Sequence, residues 1–169
     1  MQTSSPPPAL VRELERGLRL ILLLIGASMV LLVFANVITH LFHRDIAWTV
    51  ELCEFFMVWV TFLGGAVAAR KGAHMTITEF LDKLTPDRRR LADGAIQLVC
   101  LIVLALLVWY GSIVVNANWE NRLTVLGWPM ALQYLALPVG AALSIVFVGH
   151  DLMSIAAGQS RSQRYGEGE

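Results

Sequence analysis

ELCEFFMVWVTFLGGAVAARKGAH, residues 51–74, places two carboxylates, Glu51 and Glu54, at the mouth of a long apolar stretch and sets Arg70, Lys71 and His74 at its far end. An acidic entrance and a basic exit give a membrane span a direction as well as a candidate contact surface.

The rest of the chain has the composition such a span requires. Of its 169 residues, 56% are apolar and only 15% charged, against roughly a quarter charged in a soluble domain. The mean hydropathy is +0.62. Four apolar runs, at about 18–38, 50–69, 92–114 and 129–148, are each long enough at 1.5 Å per residue to cross a hydrocarbon layer of about 30 Å. The first follows a proline-rich start and three arginines, as a secretory signal would, but it is long enough to span and no small-x-small cleavage site follows it. The expected fold is therefore an all-α membrane protein of four transmembrane helices. Tails over 1–17 and 158–169 would flank a membrane domain over 18–157.

Lysine and arginine set the expected orientation. The N-terminal tail, the segment between the second and third runs and the C-terminal tail together hold eleven of them, while the two remaining connections hold only Arg44 and Arg122. The positive-inside rule then predicts that both termini and the middle connection are cytoplasmic. Trp48, Trp109, Tyr110, Trp119 and Trp128 gather near the ends assigned to the outside, where amphipathic rings sit at headgroup depth. The middle connection predicts an amphipathic helix over 76–84: Thr76 and Glu79 have capping-box spacing, and Ile77, Phe80, Leu81 and Leu84 form one apolar stripe. It would lie on the cytoplasmic membrane surface or against another chain. Thr85 and Pro86 read as the start of the next helix.

Several function classes are excluded. A formal net charge of zero offers nothing to nucleic acid. Cys53 and Cys100 fall singly in separate apolar runs and read as small buried hydrophobes. The sequence has no HExxH motif, no glycine-rich phosphate loop and no Ser, His and Asp set on a shared cavity, so an enzyme is not expected, nor a catalytic, metal or cofactor site. His40, His43, His74 and His150 lie at span ends, whereas haem ligation in a membrane anchor needs histidines facing one another within spans. A haem- or quinone-binding redox anchor is thus the weaker alternative. A homodimeric exporter is weaker still, because Glu51 and Glu54 lie too near the surface.

The second run carries the candidate interface. Trp48, Glu51, Phe55, Trp59, Phe62 and Ala66 recur at three to four residues and form an aromatic stripe that narrows to small residues at its inner half. Such a stripe packs either within the chain or on a larger membrane partner. Glu51 and Glu54 share a helix face at the outer boundary and read either as a solvated, helix-orienting pair or as contacts for a cation on Arg44, Arg122 or another protein. Asn36 and Gln97 are amides at membrane depth, expected to bond between helices. Pro138 is expected to bend the fourth helix. Leu123, Val125, Leu126 and Trp128 form a short apolar patch that either dips into the headgroups or is covered by a partner.

The chain resembles the DctQ-like small membrane subunits of tripartite ATP-independent periplasmic (TRAP) transporters. The likeness rests on Trp48 and Glu51, Trp59, Phe62-Leu63-Gly64, Ala69-Arg70 and His74, then on Thr124, Gly127-Trp128-Pro129, Tyr134, Pro138 and Gly140. It covers about residues 15–155. Where the family usually has an aspartate this chain has Glu79, and Glu54 is a carboxylate beyond the usual one. The resemblance implies a non-catalytic scaffold in the bacterial inner membrane, paired with a large permease subunit that holds the sodium and substrate sites and moves substrate by an elevator-like mechanism. A periplasmic binding protein would deliver an organic acid such as a dicarboxylate or sugar acid. It also implies a partner surface built from Trp48, Glu51, Phe55, Trp59, Phe62, Arg70, His74, Phe80 and Trp128, beside membrane lipid.

Overall fold

A computed structural model describes residues 9–42, 46–70 and 86–156. These residues form long helices: α1 (Ala9–Leu41), α2 (Ala47–Arg70), α3 (Pro86–Ala117), the single turn α4 (Ala131–Tyr134) and α5 (Ala136–Ala156). Four segments within them, Val11–Leu41, Ala47–Ala69, Ala92–Ala117 and Ala131–His150, are long and apolar enough to cross a membrane. The expected amphipathic helix over 76–84 lies outside the described residues, as do both ends of the chain.

α1 runs through what composition alone separates into tail and span. Its 33 residues extend about 50 Å, more than the hydrocarbon layer is thick. The surplus is the charged first part, where Arg16 pairs with Glu13 at 3.0 Å and Arg19 with Glu15 one turn apart. The fourth span is split. Pro138 has no N–H to offer the Tyr134 carbonyl, and the helix breaks at Leu135, three residues earlier. Bonds from Leu135 N to Ala131 O and from Val139 N to Leu135 O bracket the break. Four hydroxyls within the spans are satisfied locally: Ser28, Thr61, Ser112 and Ser144 each donate to the carbonyl four residues back, at 2.8–2.9 Å.

The helices pack in an open row. α5 packs on α3 and on α2, and α1 packs on α2, giving the spatial order α1, α2, α5, α3. The tightest point lies between the two central helices. A Cβ built on Gly140 would fall 2.7 Å from Phe62 Cβ and 2.8 Å from Phe62 O, so the α5 backbone lies directly against α2. On the other side Gly111 makes room for Pro138, whose Cδ would lie 3.1 Å from a Cβ there. The buried core sits at the start of α1, the C-terminal half of α2 and the later part of α5: Val11, Leu18, Leu63, Ala66, Val67 and Phe147. α2 and α3 meet α5 without packing on each other, and the gap is an apolar groove of about 480 Å³ lined by Phe62, Gly65, Val103, Leu107 and Ala141.

Gly140→Ala should separate α2 from α5 and cost about 1–3 kcal/mol. Its thermal unfolding midpoint in detergent should fall, while that of Gly65→Ala, where a Cβ meets nothing within 4 Å, should not. Equal midpoints for the two variants would refute this account of the central contact.

Candidate functional site

The polar mouth of α2 closes onto the connection that follows α3. There the chain forms a tight hairpin. Arg122 and Pro129 make an antiparallel bridge, Leu123 N donates to Trp128 O at 2.8 Å, and Met130 N donates to Asn121 O at 2.8 Å. Gly127 N donates to Leu123 O at 3.1 Å, closing a turn whose last residue, Gly127, has φ +67°. Only glycine adopts this left-handed conformation without strain.

A turn of this kind leaves its first N–H groups without partners, as the start of a helix does. The Glu51 carboxylate supplies them. Its Oε1 accepts from Val125 N at 2.9 Å, and its Oε2 accepts from Val125 N at 3.0 Å and from Leu126 N at 2.8 Å. Among the described residues Glu51 meets these backbone N–H groups and not Arg122, one of the cations expected for it. Arg122 turns the other way, and its Nη1 donates to the Gly127 carbonyl at 3.1 Å. Anion and cation therefore grip opposite ends of the same turn. Arg44 lies outside the described residues.

The aromatic stripe divides along its length. Trp48 is in the first turn of α2 and 42% exposed. Phe55 is half-buried, and its ring meets Trp128 edge-on with centroids 5.7 Å apart and Trp59 at 6.2 Å. Trp59 leans on the Val11 and Leu18 core, its indole nitrogen buried without a hydrogen-bond partner. Phe62 lies under Gly140, and Ala66 is fully buried. Much of the stripe is thus covered by the chain's own helices, while Trp48 and Trp128, each 42% exposed, form an open margin. Arg70 is the last residue of α2; its side chain, His74 and Phe80 lie outside the described residues. In the apolar patch of the hairpin Leu123 is buried, whereas Val125 is half exposed.

Asn36 reaches a backbone group where a partner on another span was expected. Its Oδ1 accepts from Ile46 N at 3.4 Å, tying the end of α1 to the start of α2. Neither cysteine forms a disulfide among the described residues, both are half-buried, and no group of three metal-ligating side chains occurs among the described residues. The arrangement offers a helix end capped by a hydrogen-bonded hairpin and broad apolar faces. What sequence reasoning missed is the acceptor role of Glu51 towards the hairpin. Its one available signal is Gly127, just before Trp128 and Pro129, which marks a turn.

Glu51→Ala should leave the Val125 and Leu126 amides without an acceptor. In detergent their hydrogen exchange should speed up at least about tenfold, from the loss of a charge-assisted bond. Glu54→Gln should leave these two amides unchanged. Unaltered protection in Glu51→Ala would show that the hairpin holds itself.

Residues 9–158 match the family model described as the DctQ component of tripartite ATP-independent periplasmic transporters. A Haemophilus influenzae protein named as a TRAP transporter small permease protein is 26% identical over 136 residues, covering 80% of this chain and 84% of its own. The Vibrio cholerae sialic acid TRAP transporter small permease protein is 32% identical over 106 residues, covering 58% of this chain and 57% of its own. The sialic acid TRAP transporter permease protein of Haemophilus influenzae is 29% identical over 93 residues, which are 52% of this chain but only 15% of that much longer one. Other relatives carry C4-dicarboxylate, isethionate or ectoine in their names.

Proposed function

Because the chain belongs to the DctQ family of small TRAP permease components, we propose that it is the fixed scaffold beside a large permease in sodium-coupled uptake of an organic acid. Family membership makes it a non-catalytic transport subunit, and its four apolar helices make it a multi-pass protein of the bacterial inner membrane. The observation that carries the reading is the match across residues 9–158, on a chain whose helices stand in an open row.

Support for a permease partner comes from the Haemophilus sialic acid permease, in which a segment like this chain is a small part of one long polypeptide. A row of helices exposes more side-chain area than a closed bundle does, and that area needs lipid or another subunit against it. The Trp48 and Trp128 margin, with Phe55 behind it, is the proposed docking edge on the outer side. Arg70, His74 and Phe80 are proposed to contact the partner on the cytoplasmic side. A periplasmic binding protein would deliver the substrate, in the range of dicarboxylates and sugar acids. Relatives named for a sialic acid and a C4-dicarboxylate bracket that range.

The proposed orientation keeps both termini in the cytoplasm. A green fluorescent protein fused after Glu169 should fluoresce, and alkaline phosphatase inserted after Asn118 should be active. The reverse pattern would overturn the orientation.

Co-expressed with the permease gene beside its own, the tagged chain should bring the permease down in gentle detergent. Glu51→Lys should weaken that capture and organic-acid uptake together, by about tenfold, the effect of losing a charge-assisted bond. Full capture with lost uptake would sink the scaffold role, and wild-type chain purifying alone would sink the partnership.

A further inference from the structure

Glu54 is the carboxylate of α2 that the hairpin leaves unused. It is exposed, and among the described residues it makes no hydrogen bond or ion pair. Seven residues along α2 from Ala47, it lies about 10 Å in from the helix end. A charged side chain within a span is as a rule paired. Its surroundings are largely apolar: it lines a groove of about 270 Å³ between α1 and α2 with Met29, Val33, Val50 and Met57, and the last three are each more than half exposed. This groove belongs to a broader face. Glu54, Met57 and Thr61 follow one another at i, i+3 and i+7 and form one ridge of α2. Thr61 lines the larger groove between α2 and α3, so the two grooves open on the same side of the helix row, on either flank of this ridge. Such relief is what another helix packs against.

Three sources of a cation exist for a carboxylate so placed. A lipid headgroup stays too high: Asn36 and Thr49, the other polar residues of the smaller groove, lie nearer the helix ends than Glu54 does, and a headgroup sits at or above their level. A second copy of this chain has no cation to offer from within its spans, since residues 20–41, 47–69, 92–117 and 131–150 contain no lysine or arginine. A helix of another membrane protein carries a cationic side chain to any depth, because its backbone is satisfied internally.

We propose that this face docks a membrane helix of the large permease, seated in the groove between α1 and α2 with a lysine or arginine against Glu54. Val33, Val50 and Met57 pack on the apolar side chains that flank the cation, and the ion pair fixes the depth of the permease helix relative to α2. This docking presupposes the permease partnership proposed above and adds a second contact to the Trp48 and Trp128 margin.

The full-length chain and the permease encoded beside it are purified, and their affinity is measured in gentle detergent. Glu54→Gln should weaken binding about threefold to fivefold, as expected for a partly exposed ion pair. Glu54→Lys should weaken it at least about tenfold, because it brings like charges together. Both variants alone should keep the wild-type unfolding midpoint, which separates lost docking from lost fold. Each lysine and arginine in the permease spans is then changed to glutamate, and one such permease variant should restore the affinity of Glu54→Lys to within about threefold of wild type. With Glu54 intact, p-benzoylphenylalanine in place of Met57 should crosslink to the permease on illumination in membranes. Where Glu54→Lys fails to fold, Glu54→Gln and the crosslink decide. Unchanged affinity in the Glu54 variants, no restoring permease variant, or a crosslink only to lipid or to a second copy would overturn the docking face while the wild-type complex, and with it the partnership, stands. Absence of a wild-type complex would overturn both.

Discussion

Two helix backbones approach only as closely as the side chains between them allow, and at Gly140 there is none. The contact of Gly140 with Phe62 draws α5 onto α2 and makes this pair the spine of the molecule. Each central helix then has one face left for an edge helix: α1 on α2, α3 on α5. The α3 edge uses the same device on a smaller scale, with Gly111 admitting the ring of Pro138. Without an aqueous phase to drive helices together, such close fits supply much of the association between spans.

The hairpin end is organised by a different demand. A hairpin at the membrane boundary has backbone donors and acceptors that require partners. Glu51 answers the donors of Val125 and Leu126, and Arg122 answers the carbonyl of Gly127. Trp128 then lies across Phe55, so the hairpin is fastened to α2 by both charge and ring. Glu51 thereby gains a structural task inside its own subunit, and the exposed aromatic margin beside it becomes the more direct candidate for a partner. A row of helices with its hairpin end pinned to α2 suits the proposed role of a stationary part beside a moving one.

Legibility in the sequence followed the range of each interaction. The four spans are visible because every residue in a run reports on the same solvent. Pro138 announces a break because its missing donor is a property of one residue, although the helix interrupts at Leu135. The stripe on α2 was visible from its spacing, but periodicity cannot say which neighbour fills it. Phe62 and Ala66 meet the chain's own helices while Trp48 stays exposed. Glu51 was singled out for its place at the span mouth. Its actual partners are backbone N–H groups 74 and 75 residues away, and a backbone N–H has no signature in the amino-acid code.

By itself the sequence determined that four apolar helices cross a membrane, that the chain carries a directional charge pattern, and, through resemblance, which family it belongs to. These follow from local composition, since transfer into lipid depends on each segment separately. Only the tertiary structure decided the order α1, α2, α5, α3, the close fit at Gly140 and the grip of Glu51 on the hairpin. Each depends on which surfaces meet, and meeting is a matter of shape and of unpaired backbone groups brought within about 3 Å of an acceptor.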